Sequence, residues 1–395
     1  MRDLKNLDYF EKLINIANND LVIEAKNCGQ ICAAYVCENT PEPLFDLDNC
    51  FGIRLTAPNT GGTDVASYYM TNFLCETSRA LLERAIEGGY QFADCIIAPD
   101  GCTMINRCVE NMELAKALGH DKDNFFYEHL EIPLKADDNG VELLVLQCRN
   151  HILNPLHEHY GTDISDASIR KAVNEYNRVC KVINELGEYR KEEYPRITGY
   201  EFAVLTLASY VCPKRLIVDK LEEVLEEVKN RKPDDKKYRA RLLVAGSEMD
   251  DVNFIKLIED TGAYVCADRY CFGSFPGRVP IELNDKEDAL TQVCRQYVYR
   301  CQCPRLMNME KVYSRKEYVA NLAKEYKADG IIYNQIKFCD PWAYERLGGT
   351  AALRELGYPV LSLDRPYNSH SAMGQLSTRV QAFVESIEIK KLGDK

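Results

Sequence analysis

The chain has 395 residues, of which 46% are hydrophobic, and it carries a net charge of −12 with a pI of about 5.2. That length predicts two or three domains with full cores, and that composition excludes a disordered chain. The acidic balance argues against nucleic acid or an anionic membrane as the main partner. No run approaches the roughly 18 apolar residues that span a bilayer, and Met1-Arg2-Asp3-Leu4-Lys5 has no apolar leader core. A cytoplasmic protein is expected.

Residues 1–30 read as a helical segment with an apolar stripe of Leu4, Phe10, Leu13, Ile14, Ile16 and Ala17. A first α/β domain is expected over 31–150, with strands at 31–37, 51–55, 94–99 and 125–130. Its helices run through Ala80-Leu81-Leu82 and over 104–118. A mainly helical segment and linker cover 151–235, with helices at 166–189 and 216–229. The polar stretch Lys232-Pro233-Asp234-Asp235-Lys236-Lys237 is the clearest linker. A second α/β domain fills 236–395, with strands at 241–246 and 263–268, at Gly330-Ile331-Ile332, and at 359–364. Helices are expected there at 253–262, 289–299, 314–328 and 375–387. Strands alternating with helices in both halves predict two parallel sheets.

Seventeen cysteines is a high and odd number. In a reducing compartment they do not pair as disulfides, and most such thiols are small buried hydrophobes. A few are candidates to bind a soft metal or an iron–sulfur cluster. Cys75, Cys102 and Cys339 share one context, the start of a helix or the turn after a strand. Ligands of open α/β sheets bind at strand carboxyl ends, and a helix N-terminus favours a thiolate. Three thiolates would leave one corner of a cubane open. Cys266, Cys271 and Cys301-Gln302-Cys303 are dense in cysteine but lack paired CxxC spacing, so a structural zinc is weakly signalled. They supply a second metal site or none.

No G-x-G-x-x-G and no Walker A loop is present, so any use of ATP belongs to a partner. His151, His157, His159 and His370 form no H-E-x-x-H pattern. Glu38 and Glu42 flank Pro41 in a turn after a strand, so either is a candidate base, with a solvated turn as the plainer reading.

Several stretches resemble the (R)-2-hydroxyacyl-CoA dehydratases, which share a superfamily with the benzoyl-CoA reductases. They are the segment Cys32-Ala33-Ala34-Tyr35-Val36-Cys37-Glu38-Asn39-Thr40-Pro41-Glu42, Phe73-Leu74-Cys75, Ala98-Pro99-Asp100-Gly101-Cys102 and Lys337-Phe338-Cys339-Asp340-Pro341. Gly374-Gln375-Leu376-Ser377-Thr378-Arg379 and the helix that continues from it also match. The resemblance implies two Rossmann-like domains and a [4Fe–4S] cluster on Cys75, Cys102 and Cys339. It implies a related second subunit, an acyl-CoA substrate and a separate ATP-hydrolysing iron–sulfur activator that injects one electron. Water would then leave a 2-hydroxyacyl-CoA through a ketyl radical, giving the enoyl-CoA.

The family's Pro-x-Glu turn is altered, because Pro43 stands two after Pro41 and Glu42 comes one earlier. That puts a catalytic acid here in doubt and raises the question of whether the cluster of this subunit binds substrate or relays the electron. Cys271-Phe272-Gly273 and Cys301-Gln302-Cys303 also resemble double-cubane relatives, which are reductases, although no cysteine-proline pair follows the first ligand. A benzoyl-CoA-type or double-cubane reductase is therefore the alternative. A non-catalytic or zinc-binding cysteine-rich α/β protein is the second.

Overall fold

The computed structural model describes residues 4–118, 122–233 and 235–393. The leader question at Met1, Arg2 and Asp3 and the linker residue Asp234 lie outside these residues. Among the described residues, eight strands form two sheets. In the first, β1 (Ile31–Tyr35), β2 (Cys50–Arg54), β3 (Cys95–Pro99) and β4 (Phe126–Leu130) lie in the order β2-β1-β3-β4. In the second, β5 (Arg241–Gly246), β6 (Tyr264–Arg269), β7 (Gly330–Ile336) and β8 (Val360–Arg365) lie in the order β6-β5-β7-β8. Every pairing is parallel. The two sheets thus repeat one topology, and the fold is α/β with two Rossmann-like domains.

The apolar runs explain the strands. All residues of β3 and β7 are buried, as expected where helices cover both faces of a parallel sheet. The edge strand β4 keeps only Leu130 buried. In each sheet the chain runs outward from a central strand and then crosses back to its other side. The switch points therefore fall between β1 and β3 and between β5 and β7, where an open sheet leaves a crevice. Gly246 ends β5 at φ +137°, and a Cβ there would lie 1.7 Å from the Asn334 carbonyl oxygen. Only glycine lets β5 pass that close to β7.

The cores interleave rather than follow segment order. The helix Leu7–Ile14 buries Leu7, Phe10, Leu13 and Ile14 in a core with Leu242 and Val244 of β5. Ile16, expected on that stripe, falls after the helix and is exposed. The helix Ala289–Arg300, inside the expected second domain, packs Val293, Cys294 and Tyr297 with Ala33, Tyr35, Cys95 and Ile97 of the first sheet. The helix predicted from residue 314 begins earlier, at Met309, behind Asn308. The one expected over 104–118 runs Thr103–Leu114. No helix among the described residues is long and apolar enough to cross a membrane.

Candidate functional site

Cys75, Cys102 and Cys339 each occupy the N-cap of a helix: Glu76–Ile86, Thr103–Leu114 and Asp340–Glu355. Cys102 follows β3 and Cys339 follows β7, so both stand at switch-point strands. The unsatisfied amides of a first helical turn point at such a side chain. The Cys102 sulfur accepts from the Ile105 amide at 3.4 Å. The Cys75 and Cys339 side chains face each other across the two domains. Their pairing, aided by the Ser78 and Thr77 amides against the opposing effect of burial, brings the Cys75 pKa down to about 6. The partner Cys339 is pushed up, first by the same pairing and then by burial. Burial also pushes Cys102 up to about 12, with the Cys75 charge adding to it. Cys75 is therefore the one of the three whose pKa is lowered.

The two segments meet along a seam. The Glu76 amide approaches the Lys337 carbonyl at 3.5 Å, and the Glu76 carboxylate accepts from the Tyr367 amide at 2.7 Å. Phe73 and Phe338 meet edge-to-face with ring centres 6.1 Å apart. Phe338 has φ +63°, a left-handed conformation that costs a bulky residue roughly 1–3 kcal/mol.

A second group of thiols lies beside the first. Cys37, at φ +73° just after β1, faces Cys303. The Cys301 sulfur bonds to the Asn39 amide oxygen at 2.9 Å, and the Cys303 amide donates to the Cys301 sulfur at 3.4 Å. Gly101, next to Cys102, touches this group, since a Cβ there would be 3.2 Å from the Cys37 sulfur. Among these thiols stands Glu38, with a side chain 7% exposed and its nearest cation the Arg269 guanidinium at 3.8 Å. Neither Glu38 carboxylate oxygen has a hydrogen-bond partner. Arg269 lies 4.7 Å over the Trp342 ring, in the helix that Cys339 caps.

Arg54, at the end of β2, binds Glu248 at 2.7 Å and lies 3.8 Å over the Phe272 ring. Arg54 also donates to the Cys271 carbonyl. Burial raises Glu248 to about 7 despite Arg54.

Glu42 has a different fate. Arg278 reaches both of its oxygens, at 2.8 and 3.2 Å, and Lys214 reaches it at 2.7 Å. Lys214 also holds Asp46 at 2.9 Å, and Arg278 lies 3.4 Å over the Tyr210 ring. Burial alone would raise the Glu42 pKa, but Arg278 and Lys214 outweigh it and hold Glu42 at about 2. A carboxylate so clamped has no proton to exchange near neutral pH.

The other candidates stay apart. His151 pairs with Glu128 of the edge strand at 2.7 Å, His157 bonds to the Thr162 carbonyl, and His159 packs on Phe126. His370 lies in an exposed turn. Cys266 and Cys95 are buried inside β6 and β3. All seventeen cysteines are free. Among the described residues, no three His, Cys, Asp or Glu side chains close around one metal ion. A cluster asks for less than that, because its ligands bind separate irons. Three thiols on helix N-termini fit such a cluster in kind. Sequence reasoning missed Cys37, Arg269 and the Arg54–Glu248 pair. The signal available was the polar turn Cys37-Glu38-Asn39 at a strand end.

Residues 37–387 match the family model described as 2-hydroxyglutaryl-CoA dehydratase, D-component. The chain belongs to this dehydratase family. The (R)-phenyllactyl-CoA dehydratase beta subunit of Clostridium sporogenes is 24% identical over 387 residues, covering 96% of this chain and 97% of that protein. The (R)-2-hydroxyglutaryl-CoA dehydratase subunit beta of Acidaminococcus fermentans is 24% identical over 331 residues, covering 81% and 82%. A benzoyl-CoA reductase subunit of Thauera aromatica is 21% identical over 328 residues, covering 81% of each. Family membership makes the chain a subunit of the hydro-lyase type.

Proposed function

We propose that the chain is the [4Fe–4S] subunit of an (R)-2-hydroxyacyl-CoA dehydratase, working with a related second subunit in the cytoplasm. Cys75, Cys102 and Cys339 would hold the cluster. The observation that carries this reading is the meeting of Cys75 and Cys339 across the two domains, with Cys102 in their field and a helix N-terminus behind each. A cluster bound there supplies single electrons, delivered by a separate ATP-dependent activator; this chain has no nucleotide loop of its own. One electron makes a ketyl radical of the substrate thioester, hydroxide leaves C2, a proton leaves C3, and the electron is returned, giving the enoyl-CoA.

The residues divide the remaining work. The amides of the three helix N-termini favour thiolates over thiols. Glu38 is the better placed of the two candidate carboxylates to hold or move a proton, because both its oxygens are uncommitted and Arg269 keeps it near the thiols. Glu42 anchors the turn instead.

Anaerobic purification tests the reading. Brown protein with about four irons per chain is expected, and Cys339→Ala should abolish that iron. Iron unchanged in that variant would overturn the ligand assignment, and zinc in place of iron would overturn the cluster. Turnover of lactoyl-, 2-hydroxyisocaproyl- or phenyllactoyl-CoA with partner and activator tests the reaction class.

A second reading has its own support. Cys37, Cys301 and Cys303 gather next to the first three thiols, which suits a reductase of the double-cubane type. About eight irons per chain would favour it.

A further inference from the structure

We propose that Phe73 and Phe338 form an aromatic cover that controls which molecules reach the Cys75–Cys339 thiol pair. The proposal deepens the reading of those thiols as the working site, and its test acts on the thiols themselves. The seam between the two domains has ordered levels. Glu76 and Lys337 meet through the backbone, Cys75 and Cys339 meet through their sulfurs, and Phe73 and Phe338 meet through their rings. Cys75 is 7% exposed, whereas Phe338 is 41% and Phe73 79% exposed. The rings are therefore more exposed than the thiols, of which Cys75 is buried and Cys339 partly buried.

Two features need a cause. Phe73 and Phe338 carry no polar group, yet both are exposed and rest against each other. The backbone at Phe338 is also left-handed, where glycine would sit without strain. It is fixed there by the Lys337 amide on the Arg365 carbonyl and the Cys339 amide on the Ile336 carbonyl. A strained, bulky, exposed residue beside a reactive pair is a departure that function explains better than stability does. What a ring pair excludes is water and hydrated ions, because neither can replace its solvation on an apolar edge. Neutral, weakly hydrated molecules are excluded less. The cover thus selects by charge and hydration.

The test uses the full chain, purified without oxygen and then freed of iron. Thiols are alkylated with iodoacetate, which is charged, and with iodoacetamide, which is neutral, and the labelled peptides are quantified. Cys28, which is exposed, is the internal reference, and Cys32, which is fully buried, reports unfolding. Phe73→Ala and Phe338→Gly should each speed labelling of Cys75 and Cys339 about tenfold relative to Cys28 (a change of ~1.4 kcal/mol in access). The gain should be larger for iodoacetate. Phe338→Gly should keep or raise the thermal midpoint, since it relieves strain; a purely structural ring would lower it. Rates within twofold of the parent for both variants overturn the proposal. If Phe338→Gly exposes Cys32, Phe73→Ala alone decides, because that side chain lies at the surface. Iron-free parent protein would sink the proposed function and leave the labelling result standing. Unchanged labelling would sink the cover and leave the iron result standing.

Discussion

Glu38 and Glu42 flank Pro41 between β1 and β2, both side chains are buried, and both face an arginine of the second half of the chain, yet their surroundings are opposite. Glu42 has Arg278 on both oxygens and Lys214 beside them. Glu38 has Arg269 at 3.8 Å and no hydrogen bond at all. A buried carboxylate with full partners is fixed in its charge and place, whereas one without partners is costly unless something else uses it. The contrast teaches that burial near a site does not by itself mark a working residue. Uncommitted lone pairs are what single out Glu38 for its proposed role.

The comparison can be broken most severely at Glu38. Glu38→Gln should cut turnover of the assembled dehydratase by ~10²–10⁴-fold, the range for a lost acid–base group, with the melting temperature nearly unchanged. Equal turnover would end its proposed role. Glu42→Ala should instead cost roughly 3–5 kcal/mol of stability, because it leaves Arg278 and Lys214 buried without their partner; chemical denaturation reads this directly.

The same contrast has a pH signature. The Glu42 pKa lies below its ordinary 4.5, at about 2 in the folded chain. Its contribution is then complete above pH 4.5 and is lost as pH falls toward 2. It amounts to about 3 kcal/mol. Unfolding midpoints between pH 5 and 3 (roughly the upper part of that window) should fall less in Glu42→Gln than in the parent. The smallest effect is expected at the exposed Cys28. Cys28→Ser should change stability by no more than about 0.5 kcal/mol and leave iron content intact.

The sheets were legible because their strands are short apolar runs bounded by turns, as at Gly330-Ile331-Ile332 and Arg241-Leu242-Leu243. Cys75, Cys102 and Cys339 were legible for a related reason. A cysteine that opens a helix or follows a strand is a local pattern, and the structure places all three at helix N-caps. Helix ends were less legible. The helix predicted over 104–118 stops at Leu114, because Lys116 turns left-handed at φ +49° and the Ala117 amide bonds back to the Met112 carbonyl at 3.0 Å.

The distinction between Glu38 and Glu42 was not legible. Their partners Arg269, Arg278 and Lys214 lie in distant segments, and no periodicity links them to Pro41. The helix Ala289–Arg300 likewise reads as part of the second half yet packs on the first sheet.

The sequence by itself determined the α/β class, the alternation of strands and helices, and three thiols at the starts of helices, because each depends on neighbours in the chain. Only the tertiary structure decided that Cys75 meets Cys339, that Cys37 and Cys303 gather beside them, and which glutamate is left uncommitted. Those facts depend on how two sheets dock, and docking brings together groups whose separation in sequence carries no trace of their contact.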